Sequence, residues 1–465
     1  MSNPFLTATQ FRRGPATAPQ TPNGAGFIIS AKAVVVGAIL ATFAALAILL
    51  TRVADPQLGK GVGLVGVVIL CAAYPSAILW AYLVLFCTLQ VMAAEGQLAQ
   101  GAYIFPGLML IIILIQSGKF RDLKITRATW APYLIYLLIV LKGIALPSVL
   151  SQSPSADFLP VFVFGLAILL LRTDNDRKLL SQAFVTASVI ISLWTVLRFR
   201  TGQVHLQVGA ENRGTTGQGD QFDPNQLSEY IGFGLMISIA ALLELRGTLK
   251  KIAYVPLVAH IVIGVWAMAL LASRGTGPLS ILVATAIMLM VYYRKPLKSL
   301  AALVILLGLG WQLAQLPTFA LLLVRFGHTN EVATGNGRTV LWLLGLNHVL
   351  SADIPVLLFG EGGGASKGLV GTVLHNQFLQ VLVEYGTLGV LSLIWLFKSA
   401  AKSAFSMNNP TRTADVGVLI YLIIVCLSIV PMSRGWGVWG WLILAMLVPG
   451  HSAITNQKPA EAVNA

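Results

Sequence analysis

Charge is what this sequence is short of. Only 10% of its 465 residues are Asp, Glu, Lys or Arg, where a soluble globular protein carries about 25%. A deficit of that size over that length excludes a water-soluble enzyme, a disordered chain and a nucleic-acid-binding domain. Acidic residues are the scarcer sign, 17 against 31 Lys and Arg. Cysteine is nearly absent. Cys71, Cys87 and Cys426 each lie inside an apolar stretch, with no CxxC or Cys/His spacing, so disulfide and zinc readings both fail. Also missing is the alternating or 3.6-residue pattern of half-buried elements. What is present is 56% hydrophobic residues, arranged in long runs. The fold class that follows is all-α: a polytopic integral membrane helical bundle.

A helix needs about 20 apolar residues to cross a ~30 Å hydrocarbon core. Candidate spans lie at 27–50, 61–73, 75–93, 103–117, 131–150, 158–171, 179–197, 224–245, 252–272, 276–293, 299–316, 376–398, 414–431 and 436–449. Because several are short, the expectation is about twelve to fourteen transmembrane helices. Residues 1–26 are polar, with Arg12, Arg13, Pro4, Pro15, Pro19 and Pro22, and lack the pattern of a signal peptide. They read as a cytoplasmic disordered tail, 450–465 as another, and 27–449 as the bundle.

Lys and Arg in short loops set orientation. One alternate set of loops is basic: Lys119, Arg121, Lys124 and Arg127; Arg172, Arg177 and Lys178; Arg246, Lys250 and Lys251; Arg294, Lys295 and Lys298; Lys398, Lys402 and Arg412. These are expected in the cytoplasm. Loops at 151–157, 198–223, 273–275, 317–375 and 432–437 then face outward, to the periplasm of a Gram-negative cell. The large loop at 317–375 contains Arg338–Leu350, too short to span. It reads as an interfacial helix, with Trp342 at headgroup depth.

Two motifs mislead. Gly61-Val62-Gly63-Leu64-Val65-Gly66 matches a dinucleotide fingerprint, which has meaning only between a strand and a helix. Inside a span, its small residues serve close helix packing. Asp174-Asn175-Asp176 resembles a metal-holding DxD. It sits in a loop of a few residues, where a helix cap or turn is the better account.

The informative residues gather on the outer side. Arg213 lies in a Gly-rich and Gln-rich loop before Asp223-Pro224-Asn225, where Asp-Pro is a good helix start. Ser273-Arg274-Gly275 is a tight turn whose Arg either contacts lipid headgroups or binds substrate. Gly335-Asn336-Gly337-Arg338 opens the interfacial helix; free N–H groups there, with a guanidinium fork, suit phosphate. His375 precedes Asn376, Gln380 and Glu384, spaced i, i+4, i+8 on one helix face. Lys142 and Glu229 also lie within spans. Intramembrane ionisable groups pair or line a cavity, so Lys142 is expected to pair with Glu229 or Glu384. Three arginines suit a diphosphate and one histidine suits a general base.

This order, Arg-Gly…Asp-Pro-Asn, Ser-Arg-Gly, Gly-Arg…Trp and His-Asn…Glu-x-Gly-x-x-Gly, resembles the O-antigen ligase and polymerase superfamily over roughly residues 205–400. The resemblance implies a GT-C-like membrane glycosyltransferase that uses neither metal nor cofactor. It would take a glycan from undecaprenyl diphosphate at the periplasmic face of the inner membrane. The acceptor would be lipid A–core (ligase) or another lipid-linked glycan (polymerase), with other polysaccharide assembly proteins as further partners. Arg213, Arg274 and Arg338 would bind the diphosphate or donor sugar, assisted by Asn225 and Asn376. His375 would activate the acceptor hydroxyl together with Arg274, supported by Glu384, Lys142 and Glu229. The rival readings are a lipid-linked oligosaccharide flippase or polysaccharide exporter, and a non-catalytic scaffold.

Overall fold

The computed structural model describes residues 66, 76–88, 101–115, 126–155, 157–201, 204–206, 214–216, 224–244, 250–271, 276–293, 295–315, 338–406, 409, 411–433 and 437–448. Within them the chain is helical apart from one short hairpin. A helix α1 (Ala77–Ala81) continues into a π-helical segment, Tyr82–Cys87. Then follow α2 (Gly101–Ile115), α3 (Arg127–Ala145), α4 (Phe158–Leu170) and α5 (Asp174–Arg200). Strands β1 (Val204–Leu206) and β2 (Gly214–Thr216) pair antiparallel. Next come α6 (Pro224–Glu244), α7 (Lys250–Leu271), α8 (Pro278–Tyr293) and α9 (Pro296–Ala314). Three short helices, α10 (Arg338–Leu350), α11 (Ile354–Phe359) and α12 (Ala365–Val370), lead to α13 (Gln377–Ala404). The last two are α14 (Arg412–Ser428) and α15 (Val438–Leu447).

Five of these, α3, α5, α6, α7 and α13, are long and apolar enough to cross a membrane. Helices α2, α4, α8 and α15 are apolar but shorter. The outer surface is greasy where a soluble protein would be charged: Val255, Val258 and Val262 on α7 and Leu297, Leu300 and Val304 on α9 are exposed. Polar side chains such as Ser188, Ser238, Gln380 and Glu384 are buried instead. Lipid rewards that inversion, because interhelical polar contacts form best away from hydrocarbon. The protein is a helical membrane protein. The two tails, the span at 27–50, and all of 61–73 except Gly66 lie outside the described residues.

Local chemistry explains the boundaries. Helix α5 starts with a capping box: Thr173 Oγ1 accepts from the Asp176 amide at 3.2 Å, while Asp176 Oδ2 accepts from the Thr173 amide at 2.8 Å. The DxD look-alike is therefore the first turn of a helix. At its other end α5 runs through Arg200, beyond the expected limit at 197, because Arg198 and Arg200 suit a helix C-terminus. They stack over Trp194 and Trp266, 4.9 and 5.5 Å from the ring centres. Helix α15 is shorter than the expected 436–449, and all ten of its residues are buried. It forms an aromatic core: Trp439 stacks on Tyr230 at 4.1 Å, and Trp441 meets Phe164 and Tyr136.

Three helices are tied by one imidazole. His260 on α7 meets Ser188 of α5 through Nε2 at 2.9 Å and Ser238 of α6 through Nδ1 at 2.8 Å. Ser188 already donates its proton to the Ile231 carbonyl at 2.9 Å, so Nε2–H donates to Ser188 and Nδ1 accepts from Ser238. Both ring nitrogens are satisfied in the neutral form.

The element that shapes the rest is α13, which breaks at Gly386 (φ 67°, ψ −171°). That backbone conformation is essentially confined to glycine. A break orphans carbonyls of the preceding turn. Here the Gly-rich stretch after α11 fills the gap: the Glu361 amide donates to the Val383 carbonyl at 3.1 Å and the Gly362 amide to the Glu384 carbonyl at 2.8 Å. The approach is possible because Gly360 lies opposite in the same glycine-only region (φ 70°, ψ 179°). A Cβ on Gly360 would fall 2.3 Å from the Tyr385 nitrogen, and one on Gly386 would fall 2.4 Å from the Leu358 carbonyl carbon.

Gly360→Ala and Gly386→Ala should therefore each cost at least about 2 kcal/mol, adding backbone strain to a steric clash. Gly308→Ala, where a Cβ meets nothing within 4 Å, should be neutral or slightly stabilising. Thermal unfolding of the three purified variants in detergent checks this; equal midpoints would refute the close approach.

Candidate functional site

Hydrogen bonds fix which helix ends lie together. At one end, Thr276 Oγ1, just before α8, donates to the Asn225 carbonyl at the start of α6 (2.7 Å). Tyr421 of α14 donates to the carbonyls of Ser228 and Thr276 at 3.2 and 2.8 Å. Two turns further along α14, the Ser428 carbonyl accepts from Arg338 Nη1 at 2.8 Å. Just past α14, the Met432 amide donates to Gln377 Oε1 at 3.0 Å, and Gln377 Nε2 donates to Ser433 Oγ at 3.1 Å. Asn225, Arg338, His375 and Asn376 thus belong to one end of the bundle.

The opposite end carries the basic loops. Thr129 near the start of α3 meets Ser399 near the end of α13 at 3.4 Å. Arg177 at the start of α5 donates to Val448, the C-cap of α15, at 3.1 Å. Tyr292 at the end of α8 donates to the Leu243 carbonyl at the end of α6 at 2.7 Å. Arg127, Arg172, Arg177, Lys178, Lys295, Lys298, Lys398, Lys402 and Arg412 all lie at or near these helix ends. Among the described residues most Lys and Arg therefore lie at this end, while Lys142, Arg198, Arg200, Arg338 and Lys367 lie toward the other.

Around His375 the structure is tightly specified. His375 has φ 52°, the positive φ of a non-glycine residue among the described residues. It stands between two fixed pieces of backbone. On its C-terminal side, Asn376 is the N-cap of α13, its Oδ1 accepting from the Leu379 amide at 3.1 Å. On its N-terminal side, Leu374 is held at both polar atoms: its amide donates to Gln380 Oε1 at 3.1 Å and its carbonyl accepts from Trp342 Nε1 at 2.7 Å. Arg338 lies one turn before Trp342 on α10, on the same helix face, so the guanidinium-bearing end of α10 adjoins the histidine segment.

Beneath His375 lies a buried polar cluster. Glu384 Oε1 accepts from Ser366 Oγ at 2.6 Å and from Gln380 Nε2 at 2.5 Å, while Gln380 Nε2 also donates to Ser366 Oγ at 2.6 Å. The polar stripe predicted on α13 is present, with Asn376 as cap and Gln380 and Glu384 facing inward.

Several expectations need correction. Lys142 does not pair with Glu229 or Glu384; its Nζ donates to the Gly360 carbonyl at 3.2 Å, because the broken helix brings that loop to the end of α3. Glu229 is buried on α6 beside Tyr421 of α14. The side-chain oxygen of Asn376 caps α13, a structural task beside the substrate contact expected of that residue. Arg338 Nη1 likewise caps the last turn of α14. Arg213 and Arg274 lie outside the described residues.

Sequence reasoning passed over three features. Ser366 is buried on α12 and holds Glu384. Tyr385 donates to Asp157 Oδ2 at 2.7 Å, joining α13 to the start of α4. His348 Nε2 meets Glu361 Oε1 at 3.0 Å, joining α10 to the Gly-rich stretch. Only Glu361, set among Gly360 and Gly362–Gly364, carried a visible signal. Among the described residues no three His, Cys, Asp or Glu side chains gather to hold a metal ion.

A positive φ discriminates between substitutions. Asn tolerates it, so His375→Asn should leave stability within about 0.5 kcal/mol of wild type. A β-branched residue does not, and His375→Val should cost about 1–3 kcal/mol. Thermal midpoints of the two variants decide; a Val variant as stable as the Asn variant would deny the strained backbone.

No family model matches this chain, and no curated protein matches it.

Proposed function

We propose that this protein is a membrane glycosyltransferase that moves a glycan from an undecaprenyl-diphosphate donor to an acceptor sugar hydroxyl. The basic end of the bundle faces the cytoplasm, as short-loop Lys and Arg do. The end bearing Arg338 and His375 then faces the periplasm of an inner membrane, with α10 at the interface. The count of about twelve to fourteen spans belongs to the same reading; five long and four shorter apolar helices lie among the described residues.

The chemistry is a single displacement. His375 accepts the proton of the acceptor hydroxyl as its oxygen attacks the anomeric carbon. The bond from that carbon to the diphosphate oxygen breaks, configuration inverts, and undecaprenyl diphosphate leaves with the bonding pair. Arg213, Arg274 and Arg338 offset the charge on the departing diphosphate, which is catalysis by placement and electrostatics. One observation carries the proposal. A histidine with strained backbone, fixed on both sides, stands at the end of the bundle that holds Arg338 and lies opposite the basic loops.

The transporter reading draws on the discontinuous α13, since broken helices form substrate sites in transporters. There the freed carbonyls coordinate ions. In this protein those of Val383 and Glu384 already accept backbone N–H groups, so the break carries a structural explanation of its own.

The glycan profile of a deletion strain is the direct test. Loss of long chains with single repeats retained on lipid A indicates a polymerase. Lipid-linked polymer accumulating beside bare core indicates a ligase. Missing secreted polymer with normal lipopolysaccharide indicates an exopolysaccharide pathway, and an unchanged profile refutes the proposal. His375→Asn should abolish transfer while the protein stays folded and inserted; normal polymer would remove His375 from the mechanism. Arg274→Lys should lower transfer at least about tenfold, because an ammonium lacks the bidentate fork. Full activity there would reduce Arg274 to a simple charge. EDTA should leave the purified enzyme unaffected, and clear metal dependence would overturn the metal-free displacement.

A further inference from the structure

The peptide groups on either side of Leu374 are each held by a side chain from a different helix. Gln380 Oε1, on the first turns of α13, accepts the Leu374 N–H at 3.1 Å. Trp342 Nε1, on α10, donates to the Leu374 C=O at 2.7 Å. Leu374 itself is fully buried, as is Gln380, whose amide nitrogen is committed to Ser366 and Glu384. Its carboxamide is therefore fixed with the oxygen toward Leu374. The peptide plane that leads into His375 cannot rotate without breaking the Trp342 bond. The plane that leads out enters the Asn376 cap, whose carbonyl accepts from the Gln380 amide at 2.9 Å.

We propose that Trp342 and Gln380 are positioning residues for His375, clamping the Leu374 peptides so that His375 keeps its left-handed backbone and one imidazole direction. Residue 375 would otherwise relax toward negative φ, swinging the Cα–Cβ bond away from the end of the bundle. The clamp also joins the two partners of the site mechanically. The same face of α10 that holds Leu374 carries Arg338 one turn earlier, so the imidazole and that guanidinium are referenced to one helix. The catalytic meaning of the clamp rests on reading His375 as the general base; the clamp itself is a statement about geometry.

The test uses the full-length protein in native membranes and reads histidine carbethoxylation by diethyl pyrocarbonate, site by site, with mass spectrometry across a pH series. Trp342→Phe keeps the aromatic body and removes the donor. Gln380→Met keeps the length and removes the acceptor. In both variants the plateau rate at His375 should change several-fold, or its pH midpoint should move, while His348 and His260 react as in wild type. An unchanged rate and midpoint at His375 in both variants overturns the clamp. A rise at all three histidines also overturns it, showing that the pair supports the whole fold rather than one side chain. Failure of the general-base reading is separate and visible: His375→Asn would retain glycan transfer even where the clamp variants alter His375 reactivity.

Discussion

The break in α13 is the constraint on which the described structure turns. A straight helix over Gln377–Ala404 would be about 40 Å long and would satisfy its own backbone. At Gly386 it instead gives up hydrogen bonds, and the lost donors are replaced by the amides of Glu361 and Gly362. Backbone groups in a membrane protein need such replacement, since no water is at hand in the hydrocarbon region. Once Gly360 is seated against Tyr385, the rest follows by contact. Lys142 caps the same loop, Ser151 Oγ donates to the Gly363 carbonyl at 2.7 Å, and Thr387 Oγ1 donates to the Leu357 carbonyl at 3.1 Å. The helices from α10 to α12 are thereby bound to the bundle rather than left as a pendant loop.

That binding gives the polar cluster its value. Glu384 lies two residues before the break and is nearly inaccessible to solvent. A buried carboxylate is costly unless its hydrogen-bonding capacity is met. Ser366 reaches it only because α12 is held down by the Gly-rich stretch that precedes it. Gln380 then relays the arrangement upward to Leu374. The chain of cause runs from a glycine pair, through a buried carboxylate, to the backbone beside His375.

Much of this was legible in the sequence. Apolar runs gave α4, α6, α7 and α8 to within two residues or so, because helix ends there coincide with Pro, Lys or Asp. The i, i+4, i+8 stripe of Asn376, Gln380 and Glu384 was readable because helical periodicity is strict. The grouping of Asn225, Arg338 and His375 at one end followed from alternating loop charge. What was not legible depended on contacts across the fold. Nothing near Lys142 in the chain says that residue 360 will be its partner, so a carboxylate was the natural expectation. Gly386 stands out in the sequence as part of Glu-x-Gly-x-x-Gly, but nothing near it in the chain says that Gly360 will face it. The roles of Ser366 and Asp157 were hidden for the same reason, their partners lying 18 and 228 residues away.

Position 375 shows how a strained residue can be weighed. His375, just before an N-capped helix, has positive φ, a conformation that glycine or asparagine would adopt at least cost. The sequence uses a histidine, then surrounds it with a capping Asn376, a buried Gln380 and the indole of Trp342. Strain by itself is no evidence of chemistry, since the surrounding structure can impose it. Here two imposing contacts, from Trp342 and Gln380, act on the neighbouring Leu374 peptides. Those two bonds would hold a glycine in the same place, since neither involves the side chain at 375. Backbone shape and side-chain chemistry at position 375 are thus separable: the two bonds to Leu374 fix the first without involving the second, and only the second bears on the proposed proton transfer.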